Sequence, residues 1–179
     1  DGRKLKFVFQ SSINAPRQKT QAIVKQACQK AGIEIEIKAV TGSVYFSSDV
    51  ANPDTYTKFY ADLQMYTTNM GQPDPGQFMN QFISREVSCK DNKWQGRNIT
   101  RWRNETYDQL FHAAEGELDP TKRAALYSRM NEMVVNDHAV IPVVSRRGVA
   151  AMQHRLKATL SGWDNAMWRL PDWYREGEA

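Results

Sequence analysis

The first forty residues carry a pattern of hydrophobic and polar positions that changes period twice. Residues 5–9 are a short run of aromatic and β-branched side chains, which predicts a strand. Cap residues and Pro16 follow, and apolar side chains then recur three and four apart, which predicts a helix whose buried face comprises Ile23, Val24, Ala27, Cys28 and Ala31. Gly32 ends this helix. In residues 33–38 isoleucine alternates with charged residues, which predicts a strand at a sheet edge with one face in water.

The middle of the chain predicts one more strand between loops. Asn52-Pro53-Asp54 is a turn signal, after which we expect a short helix through Tyr60, and residues 62–66 predict a strand. The loop over residues 67–75 leads to a predicted helix over 76–83. Residues 84–104 form a polar loop that is long for a compact domain, so we expect it to have a functional or a packing role.

Two helices and a last strand are predicted beyond this loop. The first helix places on one face Tyr107, Leu110, Phe111 and Ala114. The second begins after Asp119-Pro120, a cap followed by proline, and its predicted buried residues are Leu126, Met130, Met133 and Val134. The apolar run 139–144 predicts a strand, whereas residues 146–179 show little periodicity and contain Trp163, Trp168 and Trp173.

This order of elements predicts an α/β fold with a mostly parallel sheet flanked by helices. Ligands of such sheets bind beyond the carboxyl ends of the strands, where the strand order reverses. The rule points to Ser11, Ser12 and Asn14 after the first strand and to residues 67–70 after the third. Ser11 and Ser12 precede a helix N-terminus and suit an anionic group, although a plain helix cap explains them equally well.

Composition excludes several classes of protein. With 179 residues, 41% of them hydrophobic and 25% charged, the chain has the make-up of one globular domain and not of a disordered or fibrous protein. It contains no apolar run long enough for a transmembrane helix. Its first residues form no signal peptide and lack a Met, so we expect it to be part of a longer protein or to be matured by cleavage. The net charge of +4 is spread thinly, and no nucleic-acid partner is expected.

The two cysteines leave alternatives open. Cys28 falls on the predicted helix face and Cys89 in the polar loop, with no Cys-x-x-Cys spacing between them or elsewhere. A disulfide between them and a pair of free thiols are both compatible with the sequence, because geometry decides the pairing.

Catalytic and cofactor motifs are absent from the sequence. His112, His138 and His154 have no partner at metal-binding spacing, and the chain lacks a nucleophile elbow, a phosphate loop and a dinucleotide fingerprint. No metal, cofactor or catalytic residue is expected. Asn98-Ile99-Thr100 matches a glycosylation sequon by pattern alone. Polar uncharged residues at strand ends, backed by aromatic residues, instead favour the binding of a small polar ligand.

Several segments in a fixed order resemble one protein family. They are Pro73-Asp74-Pro75-Gly76-Gln77-Phe78, then residues 96–102, then residues 104–110, then Asp119-Pro120-Thr121-Lys122-Arg123-Ala124-Ala125-Leu126-Tyr127, and finally residues 136–143. Together with the first strand–helix–strand unit they resemble the dipeptide- and oligopeptide-binding proteins of ABC importers. The resemblance covers essentially the whole chain and matches the C-terminal lobe of these two-lobed proteins.

The resemblance implies an organisation, a function and a location. Residues 3–145 would form the lobe, of the type II periplasmic-binding fold, and residues 146–179 a tail that packs on the missing N-terminal lobe. The whole protein would be a non-enzymatic, periplasmic or otherwise extracytoplasmic substrate-binding component that captures a small solute between its lobes. Its partner would be the transmembrane permease of an ABC importer.

This chain has only some of the ligand-binding residues that the family uses. The aspartate that pairs with a peptide amine is replaced by Gly71, and its aromatic neighbour by Thr68. These changes weaken the case for a peptide and favour hydrogen bonding by Thr68 and Asn69 to a sugar-like or other polar solute. Arg146 falls where relatives place a ligand-facing residue and suits a carboxylate or phosphate. The predicted ligand-binding residues are Ser11, Ser12, Asn14, Thr68, Asn69, Met70, Asn98 and Arg146.

A second function remains open at this point. The same lobe serves equally well as the effector-sensing domain of a transcription regulator with a DNA-binding domain upstream. Cys89 favours this alternative slightly, because a lone loop thiol is more stable in the cytosol.

Overall fold

The computed structural model describes residues 2, 4–146, 148–160 and 167–177. The contact pattern divides the chain into two compact units, of which the first consists of residues 1–67 and 81–105. The second consists of residues 68–80 and 106–179. The parallel sheet belongs to the first unit, and the two helices that follow the polar loop belong almost entirely to the second.

The sheet of the first unit has three parallel strands in the order β2-β1-β3. Strand β1 (Lys6–Ser12) lies in the centre, β2 (Glu34–Val40) lies on one side and β3 (Leu63–Met65) on the other. Helix α1 (Ala15–Lys30) connects β1 to β2 and completes the predicted strand–helix–strand unit. The strand order reverses at β1, because the chain leaves β1 toward β2 and returns past it to β3. The predicted α/β fold with a parallel sheet is confirmed.

The residues next to its two ends explain where helix α1 begins and ends. Asn14 occupies the cap position with extended backbone, and Pro16 lies in the first turn, where its missing N–H removes no hydrogen bond. At the other end Gly32 adopts a positive φ of 79°, a region that glycine enters without a Cβ clash. This turn directs the Ile33 N–H to the carbonyl of Cys28 at 2.9 Å, which satisfies one of the last helix carbonyls.

The buried face of α1 differs from the predicted one. The side chains that lie half or fully buried are those of Arg17, Thr20, Gln21, Val24 and Cys28. Ile23 is 67% exposed, and Ala27 and Ala31 are exposed as well. The prediction holds for Val24 and Cys28 and is wrong for the three exposed residues. It counted only apolar positions, whereas the most deeply buried residue of the helix is polar. Gln21 donates from Nε2 to the Phe9 carbonyl of β1 at 2.9 Å, which connects the buried side of the helix to the sheet.

Strand β2 is an edge strand with a wet face, as its alternation predicts. Ile35 is buried, whereas the side chains of Glu34, Glu36 and Lys38 are exposed. Lys6 of β1 pairs with Glu36 at 2.9 Å across the two strands. Charged side chains of this kind discourage another chain from pairing with an open edge.

The segment between β2 and β3 departs from the prediction. Its helix is the short α2 (Gly42–Tyr45), and residues 52–60 form a series of turns where a helix was expected. These turns are tied together by Lys58, whose buried ammonium donates to the carbonyl of Asn52 at 2.8 Å and also to the carbonyl of Val50.

The polar loop over residues 84–104 is organised around Asn98, which is fully buried. Its Nδ2 donates to the carbonyls of Phe82 at 3.2 Å, Ile83 at 3.1 Å and Trp102 at 2.8 Å. Asn98 also forms an isolated β-bridge with Val87. The loop therefore has the packing role that was one of its two predicted alternatives.

The second unit contains α3 (Gly76–Met79), most of α4 (Glu105–Gly116) and α5 (Pro120–Asn136). The predicted helix over 76–83 ends early, since a 3-10 turn over Asn80–Phe82 follows α3. The buried apolar residues of the second unit are Met79, Tyr107, Phe111, Ala114, Tyr127, Met130 and Val134. Asp119 caps α5 as predicted, because its carboxylate accepts from the backbone N–H of Thr121 at 2.8 Å.

Two of the resembling segments meet in the second unit. Asp74 accepts from the Gly76 N–H at 2.8 Å and forms an ion pair with Arg123. Arg123 in turn donates to the Tyr127 hydroxyl at 3.0 Å. A Cβ at Gly76 would lie 2.8 Å from that hydroxyl, so a larger residue here would displace the Tyr127 side chain. The segments around residues 74 and 123 are thus parts of one packing arrangement.

The apolar run 139–144 is not a strand, which contradicts the prediction. Ile141, Val143 and Val144 are exposed, and none of these three belongs to a ladder in the described ranges. An apolar run forms a strand only where a sheet edge is available for pairing, and sequence periodicity does not report that. Further on, β4 (Leu156–Lys157) pairs antiparallel with β5 (Tyr174–Arg175), while Trp163 lies outside the described residues.

Candidate functional site

The carboxyl ends of all three parallel strands contribute to one group of side chains in the first unit. Strand β1 ends at Ser12, β2 leads into α2 and its C-cap Phe46, and β3 is followed by Thr67 after one residue. Arg17, in the first turns of α1, connects them. Because the strand order reverses at β1, this is the position where sheets of this kind bind ligands. We call the four residues Ser12, Arg17, Phe46 and Thr67 the Arg17 cluster.

The guanidinium group of Arg17 is the centre of this cluster. Its Nη1 donates to the Ser12 hydroxyl, and its Nη2 donates to the Thr67 hydroxyl at 3.3 Å. Its carbon atom lies 5.4 Å from the centre of the Phe46 ring, within the range of a cation–π interaction. Arg17 is half-buried as a residue, and its bond to Thr67 is exposed.

An aromatic group lies beside the guanidinium. The ring centres of Tyr45 and Phe46 are 4.9 Å apart, and Tyr56 continues the group to Tyr66 at 5.6 Å. Burial raises the pKa of Tyr45, although the nearby positive charge of Arg17 opposes the shift. Burial, followed by the proximity of Tyr56, raises the pKa of Tyr66 to about 12. Tyr45 and Tyr66 are therefore neutral at physiological pH and supply no negative charge to Arg17.

The structure assigns the three predicted residues after β1 to different roles. Ser11 is fully buried and its hydroxyl donates to the Met65 carbonyl of β3 at 2.7 Å, so it ties two strands together. Ser12 belongs to the Arg17 cluster. Asn14 occupies the cap position of α1 but makes no side-chain cap hydrogen bond, and it is exposed. Of the three, Ser12 and Asn14 are placed at the strand end where a ligand was expected.

Of the residues 67–70 indicated after β3, Thr67 belongs to the Arg17 cluster, and the other three belong to the second unit, which begins at Thr68. Thr68 and Asn69 are exposed, and Met70 is half-buried. Arg146 is also exposed and lies in an irregular segment of the second unit.

Asn98 has a different role from the predicted one. Its amide nitrogen bonds to three backbone carbonyls, and its Oδ1 accepts from the Thr100 hydroxyl at 3.0 Å. Because the residue is fully buried, it has no exposed surface with which to contact a solute or to carry a glycan. Its function in this structure is to hold the polar loop.

Sequence reasoning missed Arg17 and Phe46 as members of the predicted site, whereas Thr67 lies within the residues 67–70 that it indicated. Arg17 carried a signal, since a basic residue in the first turn of a helix opposes the helix dipole and needs a reason for being there. Phe46 carried none, because the pattern around it is mixed and only α2 brings its ring to Arg17.

Three further observations on the described residues concern metal binding, membrane-spanning helices and the cysteines. Across them, no three His, Cys, Asp or Glu side chains come together in an arrangement that could hold a metal ion. The helices that the structure describes include none with the length and apolarity needed to cross a membrane. Cys28 and Cys89 are both free thiols.

The chain has the fold of one lobe of a type II periplasmic binding protein. The peptide transport periplasmic protein SapA of Haemophilus influenzae is 24% identical over 139 residues, which cover 78% of this chain and 23% of SapA. The chain is similar to AppA, an oligopeptide-binding protein of Bacillus subtilis solved with a nonapeptide, with a TM-score of 0.69 and 17% identity over 98% of this chain and 32% of AppA. The oligopeptide-binding protein of Thermus thermophilus, solved with a pentapeptide, gives a TM-score of 0.64 and 22% identity over 75% of this chain and 23% of its own.

These comparisons confirm the resemblance to peptide-binding proteins of ABC importers. No protein-family profile matches the chain. The chain spans between about a quarter and a third of the relatives' length, so it corresponds to a part of them. The relatives are binding proteins by name and not enzymes.

Proposed function

We propose that this chain is the C-terminal lobe of an extracytoplasmic solute-binding protein that serves an ABC importer. The observation that carries the proposal is the similarity to AppA, which extends over 98% of the chain with a TM-score of 0.69. A second lobe, outside this chain, completes the cleft. The whole protein captures a small solute between the lobes and delivers it to the permease in the membrane.

Residues 146–179 are the proposed contact with the second lobe. Large apolar side chains of this tail are exposed, and they are Val149, Met152, Leu160, Met167, Trp168, Leu170 and Tyr174. Single exposed apolar residues are common on protein surfaces, but such a concentration within one segment is typical of an interaction surface. The lobe proper would then comprise residues 3–145.

The proposed mechanism is closure of two lobes around the solute. A hinge motion brings contacts from both sides of the cleft, and the solute stabilises the closed form only by its greater affinity for that form. No covalent bond is made or broken, so the protein needs no catalytic group.

The solute is a peptide or another small polar molecule. The relatives solved with a pentapeptide and a nonapeptide favour a peptide. Gly71 in place of the family's aspartate argues against recognition of a peptide amine at that position and leaves a sugar-like solute as the alternative. Thr68 and Asn69, both exposed, are available for hydrogen bonds to either kind of solute.

The proposal is tested in the whole protein, beginning with the reading frame upstream of the codon for Asp1. An export signal followed by a mixed α/β segment would support the importer function. A DNA-binding domain without an export signal would refute it and indicate the regulator.

The predicted binding residues are tested by substitution in the same protein. We expect Asn69→Ala and Arg146→Ala to weaken binding of tripeptides and pentapeptides, by about tenfold where a charged hydrogen bond is lost, with little change in melting temperature. Asn131→Ala on the exposed face of α5 is the control, and it should leave affinity unchanged. Unchanged affinity in both site variants, measured by calorimetry, would exclude this location of the cleft.

A further inference from the structure

The polar loop over residues 84–104 has an excess of positive charge. It contains six basic residues and two acidic ones, so its net charge of +4 is as large as that of the whole chain. None of the six forms an ion pair with a carboxylate of the described residues. Arg101 donates to backbone carbonyls. The other five basic residues are exposed, and they are Arg85, Lys90, Lys93, Arg97 and Arg103. Exposed charges of one sign without counter-ions produce a positive potential at this surface.

Two aromatic side chains lie among these charges. The ring centres of Tyr60 and Trp94 are 5.7 Å apart, and their planes meet at 86°. Tyr60 is 62% exposed and Trp94 is half-buried. The Nζ atom of Lys58 and the guanidinium carbon of Arg101 lie 5.8 Å and 5.6 Å from the centre of the Trp94 ring, within the range of cation–π interactions. We define the loop patch as five residues, which are Tyr60, Lys90, Lys93, Trp94 and Arg97.

The backbone around the loop patch is held in an unfavourable conformation. In the described ranges five non-glycine residues have a positive φ, and four of them lie here: Phe59 at 41°, Lys93 at 54°, Trp94 at 61° and Arg101 at 57°. Bulky side chains rarely adopt this conformation, and such residues are concentrated at functional sites. Hydrogen bonds maintain it, because the Trp94 N–H donates to the Cys89 carbonyl at 2.8 Å and Arg101 Nη1 donates to the Phe59 carbonyl at 3.3 Å.

The loop patch lies away from the Arg17 cluster. Tyr60 comes shortly before β3, and Asp62, directly before that strand, accepts from the Val8 N–H of β1 at 2.8 Å. The patch is therefore at the amino end of β3, whereas the Arg17 cluster is at the carboxyl ends of the strands. Because the two groups share no residue, a solute at one of them does not occupy the other.

Lysine and arginine beside tryptophan and tyrosine are suited to the surface of an anionic bilayer. The amphipathic rings prefer the level of the lipid headgroups, and each basic residue near such a surface raises the affinity about fivefold. Helix α1 also contains four basic residues and no acidic one, but it has no aromatic residue. The rings therefore distinguish the loop patch from α1.

We infer that the loop patch binds the anionic headgroups of a lipid bilayer. Lys90, Lys93 and Arg97 contact the phosphates, and Tyr60 and Trp94 lie at the level of the headgroups. The inference rests on the proposed function only in naming the membrane, which is the one that holds the permease. Contact with this membrane raises the concentration of the binding protein near its permease.

The surface is tested by sedimentation of the 179-residue chain with lipid vesicles. One set of vesicles contains phosphatidylglycerol mixed with phosphatidylcholine. A second set contains phosphatidylcholine alone and measures adhesion through the exposed apolar side chains of the tail. We expect about a hundredfold tighter binding to the anionic vesicles at low salt, since three basic residues contribute about fivefold each, and a steep loss of binding as sodium chloride is added. Equal binding to both sets would overturn the inference.

Paired variants locate the contact. Lys93→Gln combined with Arg97→Gln should weaken binding to the anionic vesicles by about 25-fold. Lys19→Gln combined with Lys30→Gln, at exposed positions of α1, removes the same charge and should weaken binding by less than about threefold. Both double variants should melt at the temperature of the parent, because all four side chains are exposed. Equal losses of affinity would mean that net charge alone is responsible, and they would overturn the patch.

The aromatic part of the patch is tested with Trp94→Phe. Brominated phosphatidylcholine in the anionic vesicles quenches tryptophan fluorescence at short range. The parent chain should therefore lose more fluorescence on binding than Trp94→Phe does. Equal quenching of the two proteins would contradict the position assigned to Trp94.

Two other polyanions give distinct outcomes in the same buffer. Binding to poly-L-glutamate without binding to the anionic vesicles would indicate an acidic protein surface as the partner. Tighter binding to an oligothymidine than to vesicles of equal phosphate content would indicate a nucleic acid. Either result would overturn the lipid assignment and leave the proposed function intact, because that function is tested by the upstream reading frame and by solute binding.

Discussion

Replacement of Asn98 by alanine should destabilise the first unit more than any exposed substitution. The side chain is fully buried, and its Nδ2 donates to the carbonyls of Phe82, Ile83 and Trp102. Its removal takes one donor from each of these carbonyls, and the bonds to Phe82 and Ile83 are buried. A buried hydrogen bond contributes about 1 kcal/mol net, and an unsatisfied buried partner costs about 1–3 kcal/mol. Because all three carbonyls share one donor group, these costs do not simply add, and we expect a total loss of about 3 kcal/mol.

The assay is thermal unfolding followed by circular dichroism, together with hydrogen exchange of the loop amides. For a chain of this size, a loss of about 3 kcal/mol lowers the melting temperature by about 6–12 °C. Exchange of the Ser88 N–H, which donates to the Asn98 carbonyl at 3.0 Å, should also accelerate.

Two further variants make the result interpretable. Asn131→Ala, at an exposed position of α5, should change stability by no more than about 0.5 kcal/mol. Asn98→Asp should be worse than Asn98→Ala at neutral pH, because it places a carboxylate against three carbonyl oxygens in a buried site. A melting temperature for Asn98→Ala within about 1 °C of the parent would refute the assigned role of this residue.

Two other predictions concern stability. Hydrogen bonding to Arg123 holds the pKa of Asp74 below its usual range, so the stability from this pair is present above about pH 4 and is lost as the pH falls through the lowered pKa. Acid unfolding monitored by fluorescence should therefore lose part of its pH dependence in Asp74→Asn, and an unchanged profile would contradict the pairing. Gly96→Ala should disrupt the polar loop, because a Cβ at this position would lie 2.3 Å from the carbonyl oxygen of Glu86. Gly116→Ala, which meets nothing within 4 Å, is its control, and equal melting temperatures for the two variants would count against the close approach.

Helix α1 shows which structural features the sequence pattern predicts and which it does not. The length of the helix and its end at Gly32 follow from cap and turn chemistry that acts within a few residues. Its buried face includes Gln21, whose side chain donates a hydrogen bond to Phe9 on another element. Hydrophobic periodicity counts only apolar side chains. The predicted buried face therefore included Ile23, which is exposed, and omitted Gln21.

The sequence predicted where the candidate site lies and indicated Ser12 and Thr67, but it did not predict Arg17 or Phe46. Parallel strands bring their carboxyl ends to one edge of the sheet, and that rule led to Ser12 and Asn14 from the sequence. The contacts of Arg17 with Thr67 and Phe46 join residues 50 and 29 positions apart, and only the folded chain brings them together.

The sequence by itself determined the strand–helix–strand unit, the edge position of β2, the two helices that follow the polar loop and the resemblance to one lobe of a binding protein. These depend on local spacing, capping and the order of segments, which are properties of neighbouring residues. Tertiary structure alone decided that Asn98 holds a loop, that the run 139–144 stays unpaired, and that Arg17 becomes the centre of the candidate site. The reason is that a side chain's burial and hydrogen-bond partners are supplied by distant parts of the chain.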